Sequence, residues 1–118
     1  CVHESLRLHP ASPVAWRAAQ CPFHLPDGKV VESGDSVVID LESANRQQEL
    51  FGDDAEQFNP HRHLADRIPP YGLTFGVGIH TCFGRDLAGG ALPKEDSDRD
   101  SHHYGTLTSL LRSLFSRG

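Results

Sequence analysis

The run from Asn59 to Gly84 limits the fold of this chain more than any other feature. It shows neither helical nor strand periodicity and holds three prolines and four glycines. A segment of that length inside a compact domain is either functional or disordered. Its aromatic residues, Tyr71, Phe75 and Phe83, argue for order. It closes on FGVGIHTCFG, Phe75 to Gly84, where three glycines surround Cys82. A chain with such a loop needs well-formed elements on both sides to hold it.

Cys82 has no obvious covalent partner. The three cysteines, Cys1, Cys21 and Cys82, form no CxxC pair and no even set, so a disulfide framework is not expected. The eight histidines are scattered, with only His61/His63 and His102/His103 close together. Zinc sites need shorter paired spacings converging from two turns, which disfavours a Cys/His metal-binding module. From the residues alone three roles stay open for Cys82: an iron ligand, a nucleophile or a buried structural thiol. His80 would share a face with it in an extended segment, but this does not make the usual Cys–His nucleophile pair. Gly76 and Gly78 before the cysteine, and Gly84 after it, allow close backbone approach and positive φ.

The flanking segments predict an α+β arrangement. Glu4 to Leu8 reads as a helix ended by His9-Pro10. Val14 to Cys21 and Ser36 to Leu41 read as strands, with turn signals at Pro26-Asp27-Gly28 and Gly34-Asp35, so residues 14–41 form a small antiparallel sheet. Asn45 to Phe58 is polar with isolated aromatics and reads as short helical turns. Arg85 to Ala88 begins a helix that Gly89-Gly90 and Pro93 interrupt, and Lys94 to Ser101 reads as a charged, mobile surface loop. Leu107, Leu110, Leu111, Leu114 and Phe115 fall at helical spacing on a last helix whose apolar stripe needs a partner surface. The first helix has no capping box before it, and the chain has no methionine, the pattern expected of a fragment lacking its N-terminal part.

Three motifs in order carry a family resemblance. Phe75, Gly78, Cys82 and Gly84 match Phe-x-x-Gly-x-x-x-Cys-x-Gly. Glu4 and Arg7, followed by Leu8-His9-Pro10, match Glu-x-x-Arg, and Phe58-Asn59-Pro60-His61-Arg62 matches a downstream Pro-x-Arg element. Together they resemble the cytochrome P-450 family, bacterial type. The resemblance implies that residues 1–118 are the C-terminal haem-binding portion of a mainly α fold, with a small sheet, the ligand loop and a C-terminal helix. It implies that Cys82 is the axial thiolate ligand of haem iron, which supplies electron density for O–O cleavage. By the same comparison Arg17 and His80 hold the haem propionates, Phe75 shields the thiolate, and Gly76, Gly78 and Gly84 keep the loop against the macrocycle. Backbone N–H groups beyond Cys82 would donate to its sulfur. Glu4, Arg7 and Arg62 would form a structural network, and Pro13, Val14 and Ala15 would border the substrate pocket. His63 departs from the aromatic residue common after that arginine.

The implied function is an oxygen-dependent monooxygenase that inserts one oxygen atom into a hydrophobic organic substrate. Its electrons would come from a ferredoxin or flavoprotein reductase. The alternative is a truncated, catalytically silent haem-binding or interaction fragment, because the family's oxygen-activating acid–alcohol pair lies upstream of Glu-x-x-Arg. The glycines at 89 and 90 and the charged insertion depart from the long helix that leaves the ligand loop in typical members. A net charge of −5 disfavours nucleic acid or an anionic membrane as partner, and the absence of a long apolar run leaves the cytoplasm as the expected location.

Overall fold

A computed structural model describes residues 1–92, 97, 98 and 100–116. Half of the charged stretch Lys94–Ser101, expected to be a mobile loop, therefore lies outside the described residues. The opening helix α1 (Val2–Leu8) ends at His9, whose N–H donates to Ser5 O at 2.9 Å. Pro10 cannot continue it. The buried face of α1 carries Glu4, Arg7 and Leu8.

Between residues 14 and 41 the strands form two separate antiparallel ribbons rather than one sheet. β1 (Val14–Ala18) pairs with β4 (Ser36–Asp40), in the register Trp16 opposite Val38. β2 (Phe23–His24) pairs with β3 (Val30–Val31) across the Pro26-Asp27-Gly28 turn. β1 stops at Ala18, short of the predicted Cys21, because the next pairing is made by the turn: Ala19 N–H donates to Asp35 O and Gly34 N–H to Ala19 O. At the far end of β4, Asp40 caps α2 (Leu41–Ala44) by accepting from the Ser43 N–H at 2.9 Å. Leu41, predicted as the last strand residue, is thus the first of a helix.

α3 (Gln48–Phe51) is one of the short helical turns expected between Asn45 and Phe58. The stretch is less superficial than its polarity implies, since Asn45, Phe51 and Ala55 are all buried. They surround Arg7, which is fully buried. Arg7 Nε donates to Glu4 Oε2 at 2.8 Å and Nη2 to Glu4 Oε1 at 2.7 Å, a two-point pair within one turn of α1. Nη1 donates to the carbonyls of Asn45 and Ala55, and the guanidinium lies 4.9 Å over the Phe51 ring. Arg62 joins from the loop. Its Nη2 lies 3.3 Å from Glu4 Oε1, and its Nη1 donates to Asp54 Oδ1 and Phe51 O. The Asn59 N–H also donates to Glu4 Oε1, at 3.1 Å.

Burial alone would raise the Glu4 pKa. The Arg7 guanidinium, the Asn59 N–H and Arg62 outweigh it and hold the carboxyl below its ordinary value. No buried side-chain nitrogen or oxygen is left without a partner among the described residues.

Beyond the cysteine loop, α4 (Arg85–Gly89) is a single turn, ended by Gly90 at φ +80°. The chain returns to make a bridge between Gly90 and Tyr104 and enters α5 (Thr106–Phe115). The apolar stripe of α5 faces α1 across an open groove of about 420 Å³ lined by Val2, Leu6, Leu107, Leu110, Leu111 and Leu114. The described residues do not cover it, and Leu114 remains 69% exposed. None of these helices is long and apolar enough to cross a membrane.

Two outcomes follow from the buried cluster. Arg7→Ala leaves the Glu4 carboxylate buried without its main partner and should destabilise the fold by about 3–5 kcal/mol in chemical denaturation. Because the folded pKa of Glu4 is lowered, its stabilisation is fully present above the unfolded value near 4.5 and is lost as pH falls through the folded one. Stability measured between pH 6 and pH 3 should therefore fall more in wild type than in Glu4→Gln.

Candidate functional site

The cysteine loop is built on a ladder of backbone hydrogen bonds. Gly72 N–H donates to Pro69 O, Gly76 N–H to Leu73 O at 2.8 Å, and Cys82 N–H back to Phe75 O at 2.7 Å. The last bond closes the loop, so Phe75 and Cys82 sit at its neck. Within it, Gly78–His80 makes one 3₁₀ turn and the Thr81 hydroxyl donates to Gly78 O. Arg85 N–H donates to Cys82 O as α4 begins.

The neck is anchored by aromatic packing. Phe75 is buried edge-on against Tyr71, with ring centroids 5.1 Å apart, and Tyr71 meets His3 of α1 at 5.8 Å. His3 Nε2 donates to Gly89 O at 2.9 Å, and burial holds its pKa below the usual histidine value. Phe75 also sits within 3.4 Å of where a Cβ on Gly89 would lie, so α4 rests on the same ring. The buried aromatics therefore tie the cysteine loop to both α1 and α4.

Glycine serves different ends at the three positions around Cys82. Gly76 has φ +68°, and a Cβ there would stand 2.6 Å from His80 O. Gly78 has φ +60° with open space in front of it. Gly84 does not have the expected positive φ; at φ −80° it is the N-cap of α4, and a Cβ there would make an ordinary 3.7 Å contact with Cys82 Sγ. Any side chain at Gly84 would thus extend beside the sulfur.

Cys82 is a free thiol and solvent-exposed. Around it the loop presents apolar side chains outward: Val77 is 61% exposed, Ile79 97% and Phe83 106%, with Leu87 of α4 also exposed. Exposed large apolar groups in one short segment mark a surface built to contact something apolar. Among the described residues no N–H reaches Cys82 Sγ at hydrogen-bond distance. The nearby Arg85 N–H is used by Cys82 O instead. No group of three or more His, Cys, Asp or Glu among the described residues could hold a metal ion.

Of the remaining sequence candidates, His80 belongs to the loop's 3₁₀ turn, whereas Arg17 and residues 13–15 lie apart from it. Arg17, half-buried in β1, donates from Nη1 to the carbonyl of its neighbour Trp16 at 2.7 Å and bonds to nothing in the cysteine loop. The His80 ring is exposed. Val14 and Ala15 are half-buried, and Pro13 O accepts from Leu41 N–H and Glu42 N–H where β4 meets α2.

Three contributors escaped the sequence reading. Asn45 Nδ2 donates to Arg7 O at 3.0 Å and to Thr74 Oγ1 at 3.1 Å, while its Oδ1 accepts from Leu73 N–H at 2.7 Å. The Thr74 hydroxyl donates to Leu6 O at 2.7 Å. Gly72, at φ +58°, passes so close that a Cβ would collide with Asn45 Oδ1. The Gly-Leu-Thr sequence at 72–74 was the available signal for a tight turn, but no local pattern announces the buried asparagine that fills it.

Comparison with known proteins agrees with this architecture. The family model described as cytochrome P-450 matches residues 1–91. The chain is 40% identical over 90 residues to cytochrome P-450 704C1 of Pinus taeda, covering 72% of this chain and 17% of that protein. It is 33% identical over 91 residues to alkane hydroxylase MAH1 of Arabidopsis thaliana, covering 72% and 18%. Among solved structures, CYP154A1 from Streptomyces coelicolor superposes with a TM-score of 0.62 at 31% identity, covering 72% of this chain and 20% of that one. The chain thus spans about a fifth of the length of the relatives it matches, and the family match ends one residue past Gly90, before α5. The ordered Glu4–Arg7–Arg62 cluster, the closed Cys82 loop and the match over residues 1–91 lead to one conclusion: the chain belongs to the cytochrome P-450 family.

Proposed function

We propose that this chain supplies the proximal haem-binding portion of an oxygen-dependent monooxygenase, residues 1–118 forming that portion, with Cys82 as the axial thiolate ligand of the iron. The observation that carries the reading is the exposed Cys82 thiol set among outward-facing Val77, Ile79, Phe83 and Leu87. A flat apolar macrocycle suits that surface, and the open space before Gly78 lets it approach the backbone. When bound, thiolate-ligated haem supplies the oxidising chemistry that places one oxygen atom in an organic substrate.

Other residues of the chain hold and orient. Arg17 and His80 provide positive charge and donors for the two propionates. Phe75 excludes water from the base of the loop. Glu4, Arg7 and Arg62 anchor the loop that precedes Cys82. The apolar residues at 13–15 line one edge of a pocket for a hydrophobic substrate. Electrons come from a ferredoxin or flavoprotein reductase, and the protein works in the cytoplasm, not at a membrane or on nucleic acid.

A second reading has its own support. Among the described residues the cysteine surface and the α5 stripe are both uncovered. A haem-free or catalytically silent interaction fragment fits those facts.

One spectrum separates the two. Purified chain reconstituted with haem, reduced and exposed to carbon monoxide, should show a strongly red-shifted Soret band that Cys82→Ser removes without changing the far-UV circular dichroism. Absence of any Soret band assigns the chain to the second reading. In haem titrations, replacing Arg17 or His80 by alanine should weaken binding by about 10- to 100-fold each, the loss of one charge-assisted hydrogen bond. An unchanged affinity removes that residue from the propionate set.

A further inference from the structure

Asn45 is the one fully buried neutral polar side chain among the described residues, and its amide joins three segments that are far apart in sequence. Its orientation is unambiguous. Nδ2 must face the Arg7 carbonyl, which can only accept, and Oδ1 must face the Leu73 N–H, which can only donate. The exchange with Arg7 is reciprocal: the Arg7 side chain donates to the Asn45 carbonyl, and the Asn45 side chain donates to the Arg7 carbonyl. The second Nδ2 hydrogen goes to Thr74 Oγ1, whose own hydrogen goes to Leu6 O.

From Leu73 the path to the cysteine is short. Asn45 holds the Leu73 N–H, the Leu73 carbonyl holds Gly76 N–H, and the carbonyl of Phe75, two residues further on, holds Cys82 N–H. Gly72 is shaped to admit Asn45, since a side chain at that position would displace the amide. Nothing else among the described residues connects the Leu73 N–H to α1.

We propose that Asn45 is a positioning residue for Cys82: its side-chain amide transmits the fixed position of the Glu4–Arg7 helix to the neck of the cysteine loop. The proposal deepens the reading of Cys82 as the haem ligand and rests on it. Asn45 acts through Leu73 and Phe75 and does not touch the sulfur. Loss of the amide would free the 71–76 turn, loosen the Phe75–Cys82 closure and let the thiolate leave its set orientation.

Amide hydrogen exchange followed by NMR on the full 118-residue chain tests the positioning without haem. Asn45→Ala should speed exchange at both Leu73 and Cys82 by about tenfold, the effect of losing one buried hydrogen bond. Ala19, bonded to Asp35 O on the distant β1–β4 ribbon, should be unaffected. Acceleration at Leu73 with Cys82 unchanged overturns the proposal, and so does a uniform rise that includes Ala19. Should Asn45→Ala fail to fold, the near-isosteric Thr74→Val, which keeps the Asn45–Leu73 bond but removes both the link to Leu6 O and the acceptor of the second Asn45 Nδ2 hydrogen, decides the matter. It should raise exchange at Cys82 severalfold, and no change there overturns the proposal. In haem-loaded chain, Asn45→Ala should convert part of the red-shifted carbon monoxide band to an unshifted one. If wild-type chain binds no haem, the ligand reading fails on its own, and the exchange result still decides whether Asn45 positions Cys82.

Discussion

The guanidinium of Arg7 is the point on which the rest of the structure depends. It is fully buried on a seven-residue helix and faces Glu4 at two points, the carbonyls of Asn45 and Ala55, and the Phe51 ring. A buried charge is tolerated only when its donors are used, and here five N–H groups must find acceptors in a small core. The chain meets that demand by bringing backbone from α2, from the stretch after α3 and from the Arg62 loop to one place. Irregular backbone that would otherwise need water is satisfied by the same side chains that need it.

This explains how a loop so poor in periodicity stays in place. Apolar residues contribute little: beyond Leu8, Val31, Leu41, Phe51, Tyr71 and Phe75 only two alanines are buried hydrophobic residues among the described ones. Directional bonds replace much of the packing that a larger core would provide. Directional bonds also fix orientation more narrowly than apolar contact does, which suits a segment whose purpose is to present one sulfur atom. The cost is sensitivity, because removing either partner strands the other in a dry environment.

The uncovered surfaces fall into two groups with different meaning. Around Cys82 the exposed residues belong to the segment matched by the family and surround the thiol that the proposed haem would cover. On α5 the exposed leucines lie past residue 91, outside the family match, and line the groove against α1.

Much of this was legible in the amino-acid sequence because it is local. The Pro10 stop, the Asp27-Gly28 turn, the β-branched run at 36–39 and the leucine spacing of α5 each encode structure within a few residues, and three ordered motifs identify the family. Other features depend on distant partners and carry no local signature. The split of one expected sheet into two ribbons follows from β2 pairing with β3 alone, while Ala19 and Asp35 extend only the β1–β4 ribbon. Leu41 moved from strand to helix because Asp40 caps α2. Asn45 reads as one more polar residue in a polar stretch, yet it is fully buried, because Arg7, Leu73 and Thr74 converge on it. By itself the sequence determined which residues turn, alternate or repeat, since backbone sterics and periodicity act over short range. Only the tertiary structure decided which polar groups share the buried interior, because a hydrogen bond needs both of its ends in place.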